Sequence, residues 1–346
     1  MKSLVLLGCS ALLFQCSAAT EKPLKSHYSV MSKIPLAGDG GWDCCEIDAS
    51  GSRLIVSHEN QVQVIDIATR KQVGVIPDTK GVHGIAVAPE LKKAYISSGK
   101  DSSVSVIDMA TLVAVKKIQV TGSDPDAIVY DPFTRRVFAF NGKSDNATVI
   151  DAKTDKVVAT IALDGAPEFA VSNAAGMLYV NLEDKGEVAE INTQKMLVEK
   201  RWPVAPATRP CAMAIDKKHH RLFIGCRSKV MVVLDAISGK ALATLPIGDH
   251  VDGACFDASK GLVFFSNGEG TITIIEAEAG DTYEVVQTVV TQKGAKTIAL
   301  NAKTHRLYLP AAEYGIAPLP TTDGPKPKAP VKPGSFAVLE VGPAEK

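Results

Sequence analysis

Short runs of alternating apolar and polar residues, separated by polar turn residues, follow one another along most of the chain. Residues 94–120, AYISSGKDSSVSVIDMATLVAVKKIQV, contain three such runs, and each is rich in Val or Ile. Alternation with β-branched residues predicts strands, and Asp, Asn, Gly and Pro mark the joints between them. No segment keeps a period of 3.6 residues, so almost no helix is expected.

The sequence Val-Ile-Asp within this segment recurs along the chain, in strict or looser form. The final residues of the seven copies are Asp66, Asp108, Asp151, Asn192, Asp235, Glu276 and Glu340. The intervals between them are 42, 43, 41, 43, 41 and 64 positions, and the last interval contains an insertion. Seven units with a period of about 42 residues match the blade length of β-propellers.

Each unit is predicted to form four short strands, a to d. In the third unit they lie at residues 126–130, 136–141, 147–150 and 156–163. Residues 27–36 resemble a strand d with no unit before it, and residues 335–340 resemble a strand c with no strand d after it. The two ends should complete one blade, which closes the ring. The expected fold is all-β: a seven-bladed β-propeller of four-stranded antiparallel blades, closed by the N-terminal strand.

Two segments carry a resemblance to a known repeat family. They are residues 94–111, AYISSGKDSSVSVIDMAT, and residues 76–97, IPDTKGVHGIAVAPELKKAYIS. They resemble the YVTN β-propeller repeats of exported surface-layer and related bacterial proteins, and the resemblance covers residues 27–343. It implies a propeller but no particular activity, since members of the family serve as binding, structural and enzyme-associated modules.

The start of strand a in each unit is predicted to lie at the mouth of the central channel. The seven residues at this position are Asp43, His83, Asp126, Glu168, Cys211, Asp252 and Lys296. Carboxylates and an imidazole that converge on one axis suit a divalent cation or a cationic ligand. Crowded carboxylates also raise one another's pKa, which could yield a general base. Alternatively, these polar residues simply face water at the channel entrance.

A second ring is predicted at the end of strand b, on the same face of the propeller. It consists of His58, Ser98, Asn141, Cys226 and Asn267, with Leu182 and Ala311 interrupting the polar pattern. His58 and His83 belong to consecutive units and could approach each other. With Asp43 they would form a transition-metal site or an acid–base cluster. The alternative is that both histidines are unpaired loop residues.

Five cysteines follow the predicted signal segment: Cys44, Cys45, Cys211, Cys226 and Cys255. Cys211 begins strand a and Cys226 ends strand b of one unit, so antiparallel pairing can bring their Cα atoms close enough for a disulfide. The alternatives are free buried thiols or a metal-binding pair. Cys44 and Cys45 point to opposite sides of a strand and should not pair with each other.

The termini and the charge balance bear on location and partners. Residues 1–19 have the pattern of a secretory signal, which predicts a periplasmic or secreted protein; a lipoprotein anchored at Cys9 or Cys16 is the less favoured reading. Lys+Arg and Asp+Glu number 38 each, so the charge does not favour nucleic acid. No apolar run is long enough to span a membrane. Residues 314–334 contain six prolines and predict an extended insertion between strands b and c of the last unit.

These observations predict an exported binding or scaffold module whose channel-mouth face binds a protein partner or a small ligand. The candidate ligand-binding residues are Asp43, His58, His83, Asp126, Asn141, Glu168, Asp252, Asn267 and Lys296. The first alternative is a metal-assisted hydrolase, because propeller lactonases resemble this architecture and act at the channel mouth, some with a bound metal. The second alternative is an accessory docking domain for a periplasmic redox enzyme. A divalent metal is the one cofactor that the residues suggest.

Overall fold

The computed structural model describes residues 27–278, 280–318 and 329–344, which form a ring of seven four-stranded antiparallel sheets. The first strand of each sheet lines the central channel, and the fourth lies at the outer rim. The predicted seven-bladed β-propeller is therefore confirmed. Within these ranges, helix is limited to two 3₁₀ turns, Pro89–Leu91 and Gly99–Asp101.

The strands are numbered β1–β28 in chain order, and the blades are numbered from the first complete sheet. Blades 1 to 3 contain β2 (Trp42–Ile47), β3 (Arg53–His58), β4 (Gln61–Asp66) and β5 (Lys71–Ile76); β6 (Val82–Ala88), β7 (Lys93–Ser98), β8 (Ser103–Asp108) and β9 (Val113–Gln119); β10 (Pro125–Asp131), β11 (Arg136–Asn141), β12 (Asn146–Asp151) and β13 (Lys156–Ala162). Blades 4 and 5 contain β14 (Pro167–Ser172), β15 (Met177–Leu182), β16 (Glu187–Asn192) and β17 (Leu197–Pro203); β18 (Pro210–Asp216), β19 (Arg221–Cys226), β20 (Val230–Asp235) and β21 (Ala241–Pro246). Blades 6 and 7 contain β22 (Val251–Asp257), β23 (Leu262–Asn267), β24 (Thr271–Glu278) and β25 (Thr282–Val290); β26 (Ala299–Asn301), β27 (Arg306–Ala311), β28 (Ala337–Pro343) and β1 (Tyr28–Pro35).

Blade 7 is built from both ends of the described chain, in the spatial order β26, β27, β28 and β1. Strand β1 pairs antiparallel with β28, from Tyr28 opposite Pro343 to Pro35 opposite Ala337. Gln287 of blade 6 fastens the start of β1. Its side-chain oxygen accepts a hydrogen bond from the Tyr28 N–H at 2.9 Å, and its Nε2 donates to the Tyr28 carbonyl at 2.7 Å. The predicted closure by the N-terminal strand is confirmed.

The hydrophobic core lies between neighbouring blades, because side chains alternate between the two faces of each sheet. Between blades 2 and 3, for example, Val104 and Val106 pack with Val137 and Ile150, and all four are fully buried. Side chains at the turns add further links across the blade boundaries. Tyr95 Oη of blade 2 donates to Asp155 of blade 3 at 2.7 Å.

The candidate disulfide between Cys211 and Cys226 is not formed, and the alternative of two free buried thiols is the one observed. Cys211 belongs to the core between blades 5 and 6, and its Sγ donates to the Val251 carbonyl at 3.0 Å. Cys226 belongs to the core between blades 4 and 5. The two side chains leave opposite faces of blade 5. Close backbones do not suffice for a disulfide, because the Cβ atoms must also point towards each other.

The Pro-rich insertion joins β27 to β28. Its described ends run antiparallel: Tyr314 forms a bridge with Val331, and the Gly315 N–H donates to the Pro330 carbonyl at 2.8 Å. Residues 319–328 of the insertion and the predicted signal, residues 1–19, lie outside the described residues. Among the described residues, no helix has the length and apolar character needed to cross a membrane.

Candidate functional site

The predicted channel-mouth residues of blades 1–6 lie at β-bulges in the innermost strands. The pairing of first and second strands shifts register between Val82 and Ile85, around His83, and between Pro125 and Ile128, around Asp126. The corresponding shifts surround Asp43, Glu168, Cys211 and Asp252. A bulge inserts one unpaired residue and changes the direction of its side chain. The side chains of the charged bulge residues therefore depart from the alternating directions of a regular strand and point towards the channel mouth.

Asp43, His83 and Asp126 come together from blades 1, 2 and 3. His83 Nδ1 lies 2.7 Å from Asp43 Oδ2 and 3.7 Å from Asp126 Oδ1, and one ligand atom from each residue lies within 4.8 Å of the others. Burial alone would lower the pKa of His83, but the hydrogen bond to Asp43 and the charge of Asp126 raise it to about 9. At neutral pH the imidazole is therefore protonated and donates to Asp43.

A chain of ion pairs continues from Asp43 around the mouth. Lys296 Nζ lies 3.4 Å from Asp43 Oδ1 and 2.5 Å from Asp252 Oδ2. Arg227 then connects Asp252, at 3.0 Å, to Glu183, at 2.9 Å. Positive and negative side chains thus alternate through blades 1, 7, 6, 5 and 4, and the carboxylates along this path are already neutralised by neighbouring cations.

The chain of ion pairs is open between blades 3 and 4. The Glu168 side chain lies at this gap and makes no hydrogen bond or ion pair with another described residue, while the Asp126 carboxylate has only the contact with His83 among the described side chains. Burial and the charges of Asp126 and Glu183 raise the pKa of Glu168 to about 8. Burial and the charge of Asp43 raise the pKa of Asp126 to about 6. We call Asp126 and Glu168 the acidic gap.

Sequence reasoning missed Arg227 and Glu183. Each directly follows the last residue of a second strand, Cys226 or Leu182, and so lies one position beyond the second predicted ring. Blades 2, 3 and 6 have glycine at the same position: Gly99, Gly142 and Gly268. A charged residue at a position that is glycine in three blades was the available signal, and shifting the alignment by one residue would have identified both side chains, together with Glu59 of blade 1.

His58 does not join the predicted cluster with His83 and Asp43. Its side chain points towards β4, where Nδ1 lies 3.1 Å from Gln63 Oε1, and its ring stacks on Phe336 with the centroids 3.9 Å apart. The ring is buried, and burial lowers the pKa of His58 although the contact with Gln63 opposes this shift. His58 is therefore a neutral core residue. Its side chain at the end of β3 points towards the neighbouring strand and not into the channel.

The other polar members of the second predicted ring are buried as well. Asn141 Nδ2 donates to Thr148 Oγ1 at 3.0 Å, and Asn267 Nδ2 donates to Thr273 Oγ1 at 3.1 Å. Ser98 and Cys226 are also buried. The two asparagines thus link the second and third strands of their blades, and none of the four side chains contacts the acidic gap.

Two members of the first predicted ring differ from expectation. The Cys211 thiol is buried and turned towards Val251, so it offers no accessible ligand at the mouth. Lys296 does reach the mouth, but strand β26 begins only at Ala299. The opposing strand contains Pro310, which has no N–H to pair with the preceding residues of the first strand.

Below the mouth lies a channel of about 540 Å³. Its wall is mainly apolar and includes Val129, Phe169, Met213 and Ile298. Glu46 also lines the wall, and its Oε1 accepts a hydrogen bond from the adjacent Ile47 N–H at 3.1 Å. Burial raises the pKa of Glu46 to about 7. The channel therefore combines an apolar wall with acidic groups at two depths.

No family model matches the chain. Antigen Lp49 of Leptospira interrogans serogroup Icterohaemorrhagiae serovar copenhageni is 29% identical over 121 residues, which are 35% of this chain and 23% of the antigen. The similarity therefore spans about a quarter of the antigen's length.

Solved structures resemble the whole propeller. One from Kuenenia stuttgartiensis hydrazine synthase is 16% identical, with a TM-score of 0.68 over 86% of this chain and 96% of that one. The structure of U3-55K is 8% identical, with a TM-score of 0.74 over 89% of this chain and 97% of that one. The WD40 repeats of RRP9 are also 8% identical, with a TM-score of 0.74 over 90% of this chain and 97% of that one. At such low identity these likenesses show the fold alone.

Replacing Glu168 by Gln should stabilise the protein at alkaline pH. The pKa of Glu168 is about 8 in the folded protein, against 4.5 as its ordinary value. Between pH 4.5 and about 8 the Glu168 carboxyl ionises in the unfolded chain but stays protonated in the folded protein. The free energy of unfolding therefore falls as pH rises through this range. We expect the variant to gain about 1 kcal/mol in free energy of unfolding at pH 8.5 and almost nothing at pH 4.5. Urea denaturation at both pH values measures this, and an equal change at both would contradict the raised pKa.

Proposed function

We propose that this protein is an exported binding module that binds a cationic ligand at the mouth of its central channel. The observation that carries the proposal is the acidic gap: Glu168 has no cationic partner among the described residues, and Asp126 has only His83, which lies 3.7 Å away and is shared with Asp43. The other carboxylates of the mouth already have partners in Lys296 and Arg227. Export rests on the predicted signal segment.

A cation would relieve an electrostatic conflict at the acidic gap. The raised pKa values of Asp126 and Glu168 mean that their ionised forms are destabilised by burial and by neighbouring negative charge. A bound cation stabilises both ionised forms, so binding at pH 7.5 should release a proton from Glu168. The mouth is thus suited to a cation more than to an anion or a neutral sugar.

Cation binding should depend on the acidic gap and not on other carboxylates of the same face. Isothermal titration at pH 7.5 with methylammonium, Mg²⁺, Ca²⁺, Mn²⁺ and Zn²⁺ should reveal at least one ligand. Asp126→Asn and Glu168→Gln should each weaken it by about tenfold or more, as expected when a partly buried charge partner is lost. Asp164→Asn is the matched control, because that side chain is 82% exposed. The proposal fails if no cation binds, or if the control loses as much affinity.

A metal-assisted hydrolase is the second candidate, favoured by the approach of Asp43, His83 and Asp126. Two carboxylates and an imidazole are suitable ligands for Zn²⁺, Mn²⁺ or Fe²⁺, and a bound metal would lower the pKa of its water. His83 would first have to lose its proton, and its pKa of about 9 opposes this near neutral pH. Stoichiometric metal and lactone turnover, both lost in His83→Gln, would favour the hydrolase over the binding module.

The remaining predictions concern relatives and partners. Membership of the YVTN family would explain the sevenfold repeat. A docking role beside a periplasmic redox enzyme would place a protein partner over the same mouth. If a cation and a candidate protein partner compete for binding at the mouth, the docking role and cation binding use the same surface.

A further inference from the structure

Glu46 is an acidic residue in a mainly apolar part of the channel. It follows Asp43 by three positions along β2, and a regular strand rises about 3.3 Å per residue, so the Glu46 Cα lies up to about 10 Å along the strand from the Asp43 Cα. No cation pairs with it among the described residues, and its one hydrogen bond comes from the backbone of the next residue. This carboxyl group takes no part in the chain of ion pairs at the mouth.

The wall between the mouth and Glu46 presents hydrocarbon to the channel. Val129 and Phe169 lie on the side of blades 3 and 4, and Met213, Ala254 and Ile298 continue the wall on blades 5, 6 and 7. These side chains offer no hydrogen-bonding groups to a ligand, but they favour contact with methylene groups. The channel therefore has an acidic group at each end of an apolar section.

We propose that the cationic ligand is a linear α,ω-diamine or polyamine that enters the channel lengthwise. This inference rests on the proposed function. One ammonium group lies at the acidic gap, between Asp126 and Glu168. The methylene chain contacts Phe169 and the other apolar wall residues, and the second ammonium group pairs with Glu46.

The distance between the acidic gap and Glu46 sets the length of the preferred ligand. An ammonium group has three donors, so each end can satisfy carboxylate oxygens and still retain water. A separation of about 10 Å corresponds to a chain of about seven or eight methylene groups. A metal ion or a monoamine could occupy only one of the two acidic positions.

Titration calorimetry at pH 7.5 with two ligands of equal chain length tests the inference. We expect 1,8-diaminooctane to bind about tenfold or more tightly than n-octylamine, because only the diamine can pair with Glu46. In Glu46→Gln this advantage should vanish while n-octylamine affinity stays within about twofold. 1,2-Diaminoethane should show no advantage over methylammonium, since it is too short to reach Glu46.

A second variant keeps the test decisive if Glu46→Gln folds poorly. Ala254→Phe narrows the channel below the mouth, and it should abolish the preference for long diamines while methylammonium binding persists. Equal affinity of octylamine and diaminooctane for the native protein would overturn this inference and leave cation binding at the mouth intact. Binding of metal ions but of no amine would also overturn it. Loss of all cation binding would instead remove the proposed function itself.

Discussion

Replacing Glu340 by Ala should lower the free energy of unfolding by about 3 kcal/mol, because it removes a buried carboxylate that accepts charge-assisted hydrogen bonds from two arginines and a serine. The Glu340 side chain is 1% exposed. It accepts hydrogen bonds from Ser32 of β1 at 2.6 Å and Arg306 of β27 at 2.7 Å, and Arg70 of blade 1 lies 2.9 Å away. One carboxylate thus joins the closing strand, its own blade and the next blade.

Urea denaturation at pH 7 measures this effect, and Glu199→Ala is the matched control. Glu199 forms an ion pair with Lys195 at 2.7 Å on the exposed outer strand, and such a pair contributes about 0.5 kcal/mol or less. Burial would raise the pKa of Glu340, but its hydrogen bonds lower it below the ordinary value. Its stabilising contribution is therefore present at neutral pH and is lost as pH falls through the folded-state pKa. Equal losses for the two variants would contradict the closing role of Glu340.

Replacing Gly84 by Ala should cost about 2 kcal/mol and also disturb the channel mouth. A Cβ atom at this position would lie 2.8 Å from the Asp126 carbonyl oxygen and 3.1 Å from the Ile128 nitrogen. These are backbone atoms of the next blade, so no side-chain rotation can relieve the contact. Blades 2 and 3 would have to separate where His83 approaches Asp126.

Two measurements distinguish this local effect from general destabilisation. Urea denaturation should show the loss in stability, and NMR titration of His83 should show a pKa below the present value of about 9, since Asp126 contributes to that value. Gly142→Ala is the control on the same face, because the nearest atom to its added Cβ lies 3.7 Å away. A His83 pKa unchanged in Gly84→Ala would show that close packing of the two strands does not tune the site.

The repeat spacing predicted both the fold and the residues that meet at the mouth. Asp43, His83 and Asp126 occupy equivalent positions in three successive units, and equivalent positions in a closed ring lie near one axis. Spacing could not predict the direction of each side chain. Cys211 has the same register but its thiol turns into the core, and the His58 side chain at the end of β3 points towards Gln63.

The ion pairs of the mouth were also beyond the reach of the repeat alignment. Arg227 and Glu183 each follow a second strand, at a position that is glycine in three other blades. In the sequence they are therefore indistinguishable from charged residues of exposed loops. The pairing of Arg227 with both Glu183 and Asp252 appears only when blades 4, 5 and 6 are placed side by side. The acidic gap is what remains once every such pair is counted, which requires the three-dimensional arrangement.

The closing blade has a consequence for how the chain reaches its native state. Ser32 and Glu340, which hydrogen-bond across β1 and β28, are 308 positions apart in sequence. Blades 1 to 6 can form from local hairpins as the chain leaves the ribosome, but β1 has no partner until nearly all of the chain has been synthesised. Until β1 docks, β1 and the free edge of β28 can each pair with another copy. Exchange of β1 between two chains is therefore the expected route to misassembled dimers, and rapid dilution during refolding should suppress it.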